Sequence, residues 1–221
     1  MKIVGISASP RGAESRTAQL VEAVLRGAAS AGAKTEFVDI CRLRFEFCNA
    51  CGTCYATGEC PKADDYQRVF GLMTEADGIV FGSPNYVNGP TAQLKQVIDR
   101  MADAIHCRAF DGKYGCAVCT TGGQGEDGVV AYLNRVFAML GAQTVGGVGV
   151  ALGPDPGRLA GAIGRAEALG RELADAIATR RAYPDQIAAL DEARAYFRNL
   201  VTANRDAWPH EYEAWADRGW L

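Results

Sequence analysis

The sequence predicts an α/β fold in which five parallel strands form one sheet covered on both faces by helices. Two patterns carry that expectation. Short, continuous apolar runs alternate along the chain with longer stretches of helical period. Loops rich in Gly, Ser, Pro and Asn follow the first, third and fourth of those runs, where open parallel sheets bind their ligands. At 221 residues the chain suits one domain with a sizeable core and room for an appendage.

The elements follow in order. Lys2–Ser7 is short, continuous and apolar, as a strand buried on both faces should be. A helix from Ser15 to Ala31 places Leu20, Val24 and Ala28 four residues apart on one face. Thr35–Ile40 reads as the second strand. Asp64 and Asp65 suit the N-terminus of a helix running to about Ala76, with Val69 and Met73 on its inner face. Asp77–Ser83 is the third strand and Pro90–Ala104 the next helix, opened by a proline whose missing N–H is harmless there. Tyr114–Thr120, Gly125–Leu140 and Gln143–Leu152 give strand, helix and strand. One long helix, Pro156–Arg180, carries a stripe of Leu159, Ile163, Ala166, Leu173 and Ile177. Right-handed crossovers then favour the flavodoxin-like order 2-1-3-4-5.

The last forty or so residues differ. Tyr183–Ala203 has a helical stripe of Ile187, Leu190, Ala193, Phe197 and Leu200, and the tail beyond it holds all three tryptophans, Trp208, Trp215 and Trp220. The expected division is therefore a ligand-binding domain over 1–181 and a C-terminal helical extension over 182–221. Such a tail needs a surface to cover: its own domain, another subunit, or a bound cofactor. Burial of a subunit interface in a homodimer or homotetramer is the expectation here.

Composition excludes some classes. A net charge of −3 without a basic stripe argues against nucleic acid. No stretch approaches the ~18 apolar residues of a membrane span. The opening apolar run stops after Ile6, short of the ~7–15 residues of a signal-peptide core. The expected compartment is the cytoplasm, where clustered cysteines bind metal or do redox work more often than they form structural disulfides.

Four of the eight cysteines, Cys48, Cys51, Cys54 and Cys60, stand at C-x2-C-x2-C-x5-C spacing, with a proline after the last. The peptide between them is short and polar, and Gly52 and Gly58 permit the backbone to wrap. Thiolates gathered this way favour an iron–sulfur cluster or zinc, with redox disulfides as the other use. Cys116 and Cys119 form a second C-x-x-C, but on a strand that spacing puts them on opposite faces. Cys41 is expected to be buried. Adjacent His106 and Cys107 should point apart, and His210 reads as a hydrogen-bonding surface residue. No G-x-S-x-G turn supports a hydrolase.

The strand-end loops carry the rest. After strand one, Ser9, Arg11, Gly12, Ser15 and Thr17 lead into a helix N-terminus, a combination that holds a phosphate through hydroxyls, guanidinium and backbone N–H groups. Neither G-x-G-x-x-G nor G-x-x-x-x-G-K-[ST] occurs at that turn. After strand three, Pro84, Asn85, Tyr86 and Asn88 offer a stiff loop with an aromatic ring and two amides, suited to a flat heteroaromatic ligand. After strand four, Thr121, Gly122 and Gly123 allow close backbone approach.

With these loops and the compact cysteine motif, the chain resembles the iron–sulfur flavoproteins, a branch of the flavodoxin-like NAD(P)H-dependent FMN reductase family. The matching stretches are Gly5–Thr17, Cys48–Asp65, Ser83–Arg100 with its Leu94-Lys95 and Ile98-Asp99-Arg100, and Thr120–Gly123. The resemblance covers roughly the first 150 residues. It implies FMN phosphate at Ser9, Arg11, Ser15 and Thr17, and the isoalloxazine ring against Pro84, Asn85, Tyr86, Asn88 and Thr121–Gly123. It also implies a [4Fe–4S] cluster on Cys48, Cys51, Cys54 and Cys60, facing the FMN of a neighbouring subunit. Electrons would pass between a donor such as ferredoxin or NAD(P)H, the cluster, the FMN and an acceptor. A cluster-free FMN or quinone reductase and a redox-sensing electron carrier are the other readings. Arg16 departs from the pattern, since such proteins commonly place asparagine beside the threonine.

Overall fold

The computed structural model describes every residue except Pro156. Five strands, β1 (Lys2–Ser7), β2 (Lys34–Asp39), β3 (Gly78–Pro84), β4 (Tyr114–Thr121) and β5 (Gln143–Ala151), form one sheet in the order β2-β1-β3-β4-β5. All four pairings are parallel. The side-chain period of two sorts the central strands onto two apolar layers. Val4, Ile6, Ile79, Phe81, Ala117 and Cys119 face one layer; Ile3, Val80, Cys116 and Val118 face the other. Cys116 and Cys119 thus lie buried on opposite faces, as their spacing requires.

Helices α1 (Arg16–Ser30) and α7 (Gly157–Thr179) cover the second layer. They pack backbone against backbone because each presents a glycine to the other's main chain. A Cβ on Gly27 would fall 2.0 Å from the Glu167 carbonyl oxygen, and one on Gly170 would fall 1.9 Å from that of Val24. The long helix was expected to begin at Pro156, which lies outside the described residues. Helices α3 (Tyr66–Glu75), α4 (Ala92–Asp99), α5 (Ala102–His106) and α6 (Glu126–Met139) cover the other layer.

Three local features depart from expectation. A short helix, α2 (Thr53–Thr57), forms inside the cysteine loop, bracketed by Gly52 and Gly58 at φ 73° and 75°. The helix expected over Pro90–Ala104 starts at Ala92, capped by the Thr91 side chain, and breaks between α4 and α5 at Arg100 and Met101. The break has a tertiary cause: the Arg100 carbonyl accepts a hydrogen bond from the Tyr66 hydroxyl at 2.8 Å, and its guanidinium turns inward to pair with Asp64.

The third departure is the tail. After α8 (Pro184–Ala203), Pro209 opens a further helix, α9 (Pro209–Asp217), which folds back onto its own chain. Trp215 is fully buried and its indole N–H donates to the His106 carbonyl at 3.0 Å. Phe197, Val201 and Trp215 form a small separate core, with Ile105, Tyr212 and Trp220 packed against it. The aromatic surface that called for a partner is therefore largely satisfied within the chain. No helix among the described residues is long and apolar enough to cross a membrane.

Candidate functional site

The loops after β1, β3 and β4 converge at the carboxyl edge of the sheet. Ser9, Arg11, Thr17, Pro84, Asn85, Tyr86, Thr121 and Gly122 line one recess there, joined by Arg16, Thr120 and Leu152. Backbone and hydroxyl bonds fix these loops to one another. Ala8 N–H donates to Gly82 O at 2.9 Å, and the Thr91 hydroxyl donates to Ala8 O at 2.8 Å. The Thr17 and Thr120 hydroxyl oxygens lie 2.7 Å apart and buried, tying the first turn of α1 to the end of β4. Asn85 N–H donates to Thr120 O at 2.8 Å.

Three of the expected residues lie beside the recess rather than on its wall. The Ser15 hydroxyl caps α1, accepting from Ala18 N–H at 2.9 Å. Asn88 sits in a tight turn where Tyr86 and Gly89 exchange backbone hydrogen bonds, and its amide packs on Gly125. Gly123 N–H donates to the Thr121 hydroxyl at 3.4 Å. Val87, at the tip of that turn, is fully exposed at φ 51°, a strained conformation for a β-branched residue.

The recess suits a flavin phosphate on three counts. Arg11 and Arg16 are exposed at the α1 N-terminus, and among the described residues neither pairs with a carboxylate. The side-chain oxygen of Asn85 is buried with no hydrogen-bond partner, an acceptor left over for a ring N–H. A Cβ on Gly122 or Gly123 would meet no protein atom within 4 Å, so their bareness leaves space for a ligand. Leu152 escaped the sequence reasoning; its signal was that β5 ends at the same edge of the sheet.

A second recess lies at the cysteine loop. Cys48, Cys51, Cys54 and Cys60 all line it, with Tyr55, Pro61, Lys62 and Arg100. Its two stems are clamped by carboxylates at the entry to α3. Asp64 accepts from Glu46 N–H at 2.7 Å, and Asp65 accepts from Arg44 N–H at 2.9 Å. Burial works against the Asp64 charge, but Arg100 and the backbone N–H groups of Tyr66 and Glu46 outweigh it and hold the carboxyl below its ordinary range. Hydrogen bonds from Thr53, with Lys62 nearby, lower the exposed Cys51 thiol; burial, with Asp103 adding, pushes Cys54 up to about 11.

Four thiols around one recess suit an iron–sulfur cluster or zinc. Among the described residues, a second group of potential ligand atoms, within 4.8 Å of one another, is formed by Asp103, Cys107 and His210. Among the described residues, none lines both the cysteine recess and the one at the strand ends.

The tail backs the cysteine loop directly. Tyr55 of α2 stacks on His106 at 5.3 Å and packs on Trp208 at 5.0 Å, while Gly58 lies against the His210 ring. His106 Nδ1 is 3.0 Å from the buried Glu211, whereas Cys107 points to Asp103, so the adjacent pair does diverge. The Cys107 thiol is held far above its ordinary range by burial first, then by Asp103, and is no nucleophile. Cys41 is only half-buried, and burial with Asp39 nearby lifts its thiol to about 11. His210 is partly exposed, with Nε2 3.8 Å from Asp103.

Burial lifts the Asp103 carboxyl to about 6, against the pull of His210 and with the push of Glu211. Its folded value thus lies above its ordinary 3.8, so its contribution to stability is complete below about 3.8 and is lost as pH rises through about 6. Asp103→Asn is expected to raise the melting temperature at pH 7.5, and to raise it less at pH 5. An equal change at both pH values would remove Asp103 as the source.

Comparison with known proteins agrees with this geometry. Residues 1–156 match the family model described as NADPH-dependent FMN reductase. An iron–sulfur flavoprotein of Archaeoglobus fulgidus is 32% identical over 228 aligned residues, covering 100% of both chains. One from Methanocaldococcus jannaschii is 43% identical over 100 residues, covering 45% of this chain and 51% of its own. Among solved structures, an NAD(P)H:quinone oxidoreductase from Methanothermobacter marburgensis superposes with a TM-score of 0.62 at 21% identity, covering 78% of this chain and 96% of that one. A WrbA-like flavodoxin from Agrobacterium tumefaciens gives 0.56 at 20% identity, over 81% and 99%. These structural likenesses concern the fold. A three-loop recess at the switch point of a 2-1-3-4-5 sheet, a matching model over most of the chain and a full-length relative lead to one assignment: the chain belongs to the NADPH-dependent FMN reductase family and is a flavin-dependent oxidoreductase.

Proposed function

We propose that the chain passes electrons through two cofactors, FMN at the strand-end recess and a [4Fe–4S] cluster on Cys48, Cys51, Cys54 and Cys60. The observation that carries this is the cysteine recess, where all four thiols face a common space beside buried guanidinium nitrogens that have no oxygen acceptor among the described residues. The relatives named iron–sulfur flavoproteins support it. When bound, FMN takes up two electrons and releases them singly, while a cluster carries one at a time. The chain's own part is to bind and orient. Ser9, Arg11 and Thr17 with the α1 N-terminus hold the phosphate, Arg16 adds a cation, and Pro84, Asn85, Tyr86, Thr121 and Gly122 bound the ring. Ser15 acts through its cap, and Asn88 and Gly123 shape the loops behind the ring. No residue is asked to act as a general base.

The donor in this proposal is NAD(P)H or ferredoxin, and the compartment is the cytoplasm. The resemblance implies a homodimer or homotetramer in which the cysteine recess of one copy would face the strand-end recess of another. An apolar groove of about 850 Å³ between α4, α6 and α8, bordered by Met139, Leu190 and Phe197, offers surface for that contact. The absorption spectrum of anaerobically purified protein, with iron and sulfide assays, tests the cofactor pair. Steady dye reduction by NAD(P)H in protein without iron would instead establish a cluster-free reductase.

Arg11→Ala is expected to weaken FMN by ~1.5–3 kcal/mol, the range for a hydrogen bond to a charged group, while riboflavin affinity stays nearly constant. Flavin fluorescence titration measures both. Equal losses for the two flavins would place the phosphate elsewhere.

A further inference from the structure

Arg100 occupies the break between α4 and α5, and its side chain is 1% exposed. One guanidinium nitrogen is accounted for: Nη1 donates to Asp64 and to the Glu46 carbonyl, the latter at 3.3 Å. Nε and Nη2 are buried and, among the described residues, have no oxygen acceptor; the guanidinium lies beside the Cys60 sulfur. A buried donor without an acceptor costs ~1–3 kcal/mol, more when charged, so two on one side chain require an explanation. The surroundings supply it. Arg100 lines the recess of the four cysteines, and it also lines a smaller recess between Cys54, Gly58 and Cys60. The Tyr66 ring lies 4.2 Å from its guanidinium carbon and fixes the plane of the fork.

We propose that Arg100 is a positioning residue for the cluster, donating from Nε and Nη2 to its sulfur atoms and raising its reduction potential. The inference rests on the cluster reading given above and concerns what this side chain does within it. A core ligated by four thiolates is already anionic, and each electron it accepts adds negative charge. Hydrogen bonds to the sulfurs and a fixed cation beside them favour the more reduced form. Lys62, on the same recess, is paired with Glu46 at 3.5 Å, which leaves Arg100 as the guanidinium aimed at the sulfurs. Arg100 also explains why the helix breaks where it does: a continuous helix from Ala92 to His106 would carry the carbonyl away from Tyr66 and the guanidinium away from Asp64.

The test uses full-length, anaerobically purified protein in three variants: Arg100→Lys, Arg100→Gln, and Arg100→Gln combined with Asp64→Asn. The double variant removes the carboxylate that would otherwise be left buried and unpaired. Iron and sulfide per chain are measured, and the cluster is titrated by EPR against redox dyes. At the potential where the parent cluster is half reduced, the reduced-to-oxidised ratio should fall at least tenfold in both Gln variants, which is ~59 mV for one electron. Arg100→Lys, keeping charge but not the fork, should fall between. FMN content and FMN potential should not move. Loss of iron from Arg100→Gln with FMN retained and Asp64 intact also supports the assignment; iron lost only in the double variant reports the Asp64 clamp on the loop stem and overturns it. Full iron at the parent potential in the double variant overturns it and leaves Arg100 as a clamp for Asp64. If the parent protein itself takes up no iron or sulfide, the cluster reading has failed, which this design separates from a silent arginine.

Discussion

Replacing Cys51 with serine should strip the chain of most of its iron while FMN stays bound. Thiolate ligation is collective, so losing one ligand impairs the whole site. Cys51 is the informative choice because it is exposed, so a serine there creates no cavity and removes no core contact. The flavin recess is built from other strand ends and, among the described residues, shares none with the cysteine recess, which is why the two cofactors should separate in this variant. Cys41→Ser is the matched control. Cys41 stands near the loop in sequence but lies outside its recess, and it should leave iron content unchanged. Iron and sulfide per chain, with the visible spectrum before and after reduction, decide the matter. Iron retained at the parent level in Cys51→Ser would sink the cluster assignment.

The elements that sequence reasoning placed well are those whose cause is local. β1, β3 and β4 are continuous apolar runs because both faces of each are covered, and that pattern is visible without knowing what covers them. The strand-end loops were legible because a plain turn needs Pro, Asn and Gly but gives no reason for Tyr86, and because three such loops follow three strands. Arg100 was invisible because residues 90–104 keep a helical pattern throughout. What stops the helix is a hydroxyl on Tyr66 and a carboxylate on Asp64, more than thirty residues away in sequence. Ser15 is ambiguous in sequence. A serine before a helix serves a phosphate or the helix's own N–H groups equally well in sequence, and here its oxygen accepts from Ala18. The tail's aromatic residues announced burial but not against what, since three tryptophans on a short segment fit any apolar surface.

That surface proves to be the cysteine loop's own support, and Trp215→Ala should expose the dependence. The indole is fully buried in a small core of its own with Phe197 and Val201, and it donates to His106 O. Truncation removes that bond and leaves a cavity, at a cost of ~3–5 kcal/mol for a buried Trp→Ala. Because this core is separate from the two layers on the sheet, the loss should fall on α9 and what it holds rather than on the whole fold. What α9 and its lead-in hold is α2: Trp208 against Tyr55, and His210 against Gly58. A loosened α9 therefore frees Cys54 and Cys60 to move. Trp215→Ala, and more severely truncation after Arg181, should release iron faster under a chelator and increase hydrogen exchange across residues 48–60. FMN affinity should stay at the parent value, since among the described residues none from α9 lines the strand-end recess. The same two variants report on assembly through light scattering. A smaller particle after truncation but not after Trp215→Ala would assign the contact between copies to α8, whose Ile187 and Tyr196 remain exposed. Parent rates of iron release in both variants would show that the tail merely covers the domain and that the cysteine loop holds its shape through Asp64 and Asp65 alone.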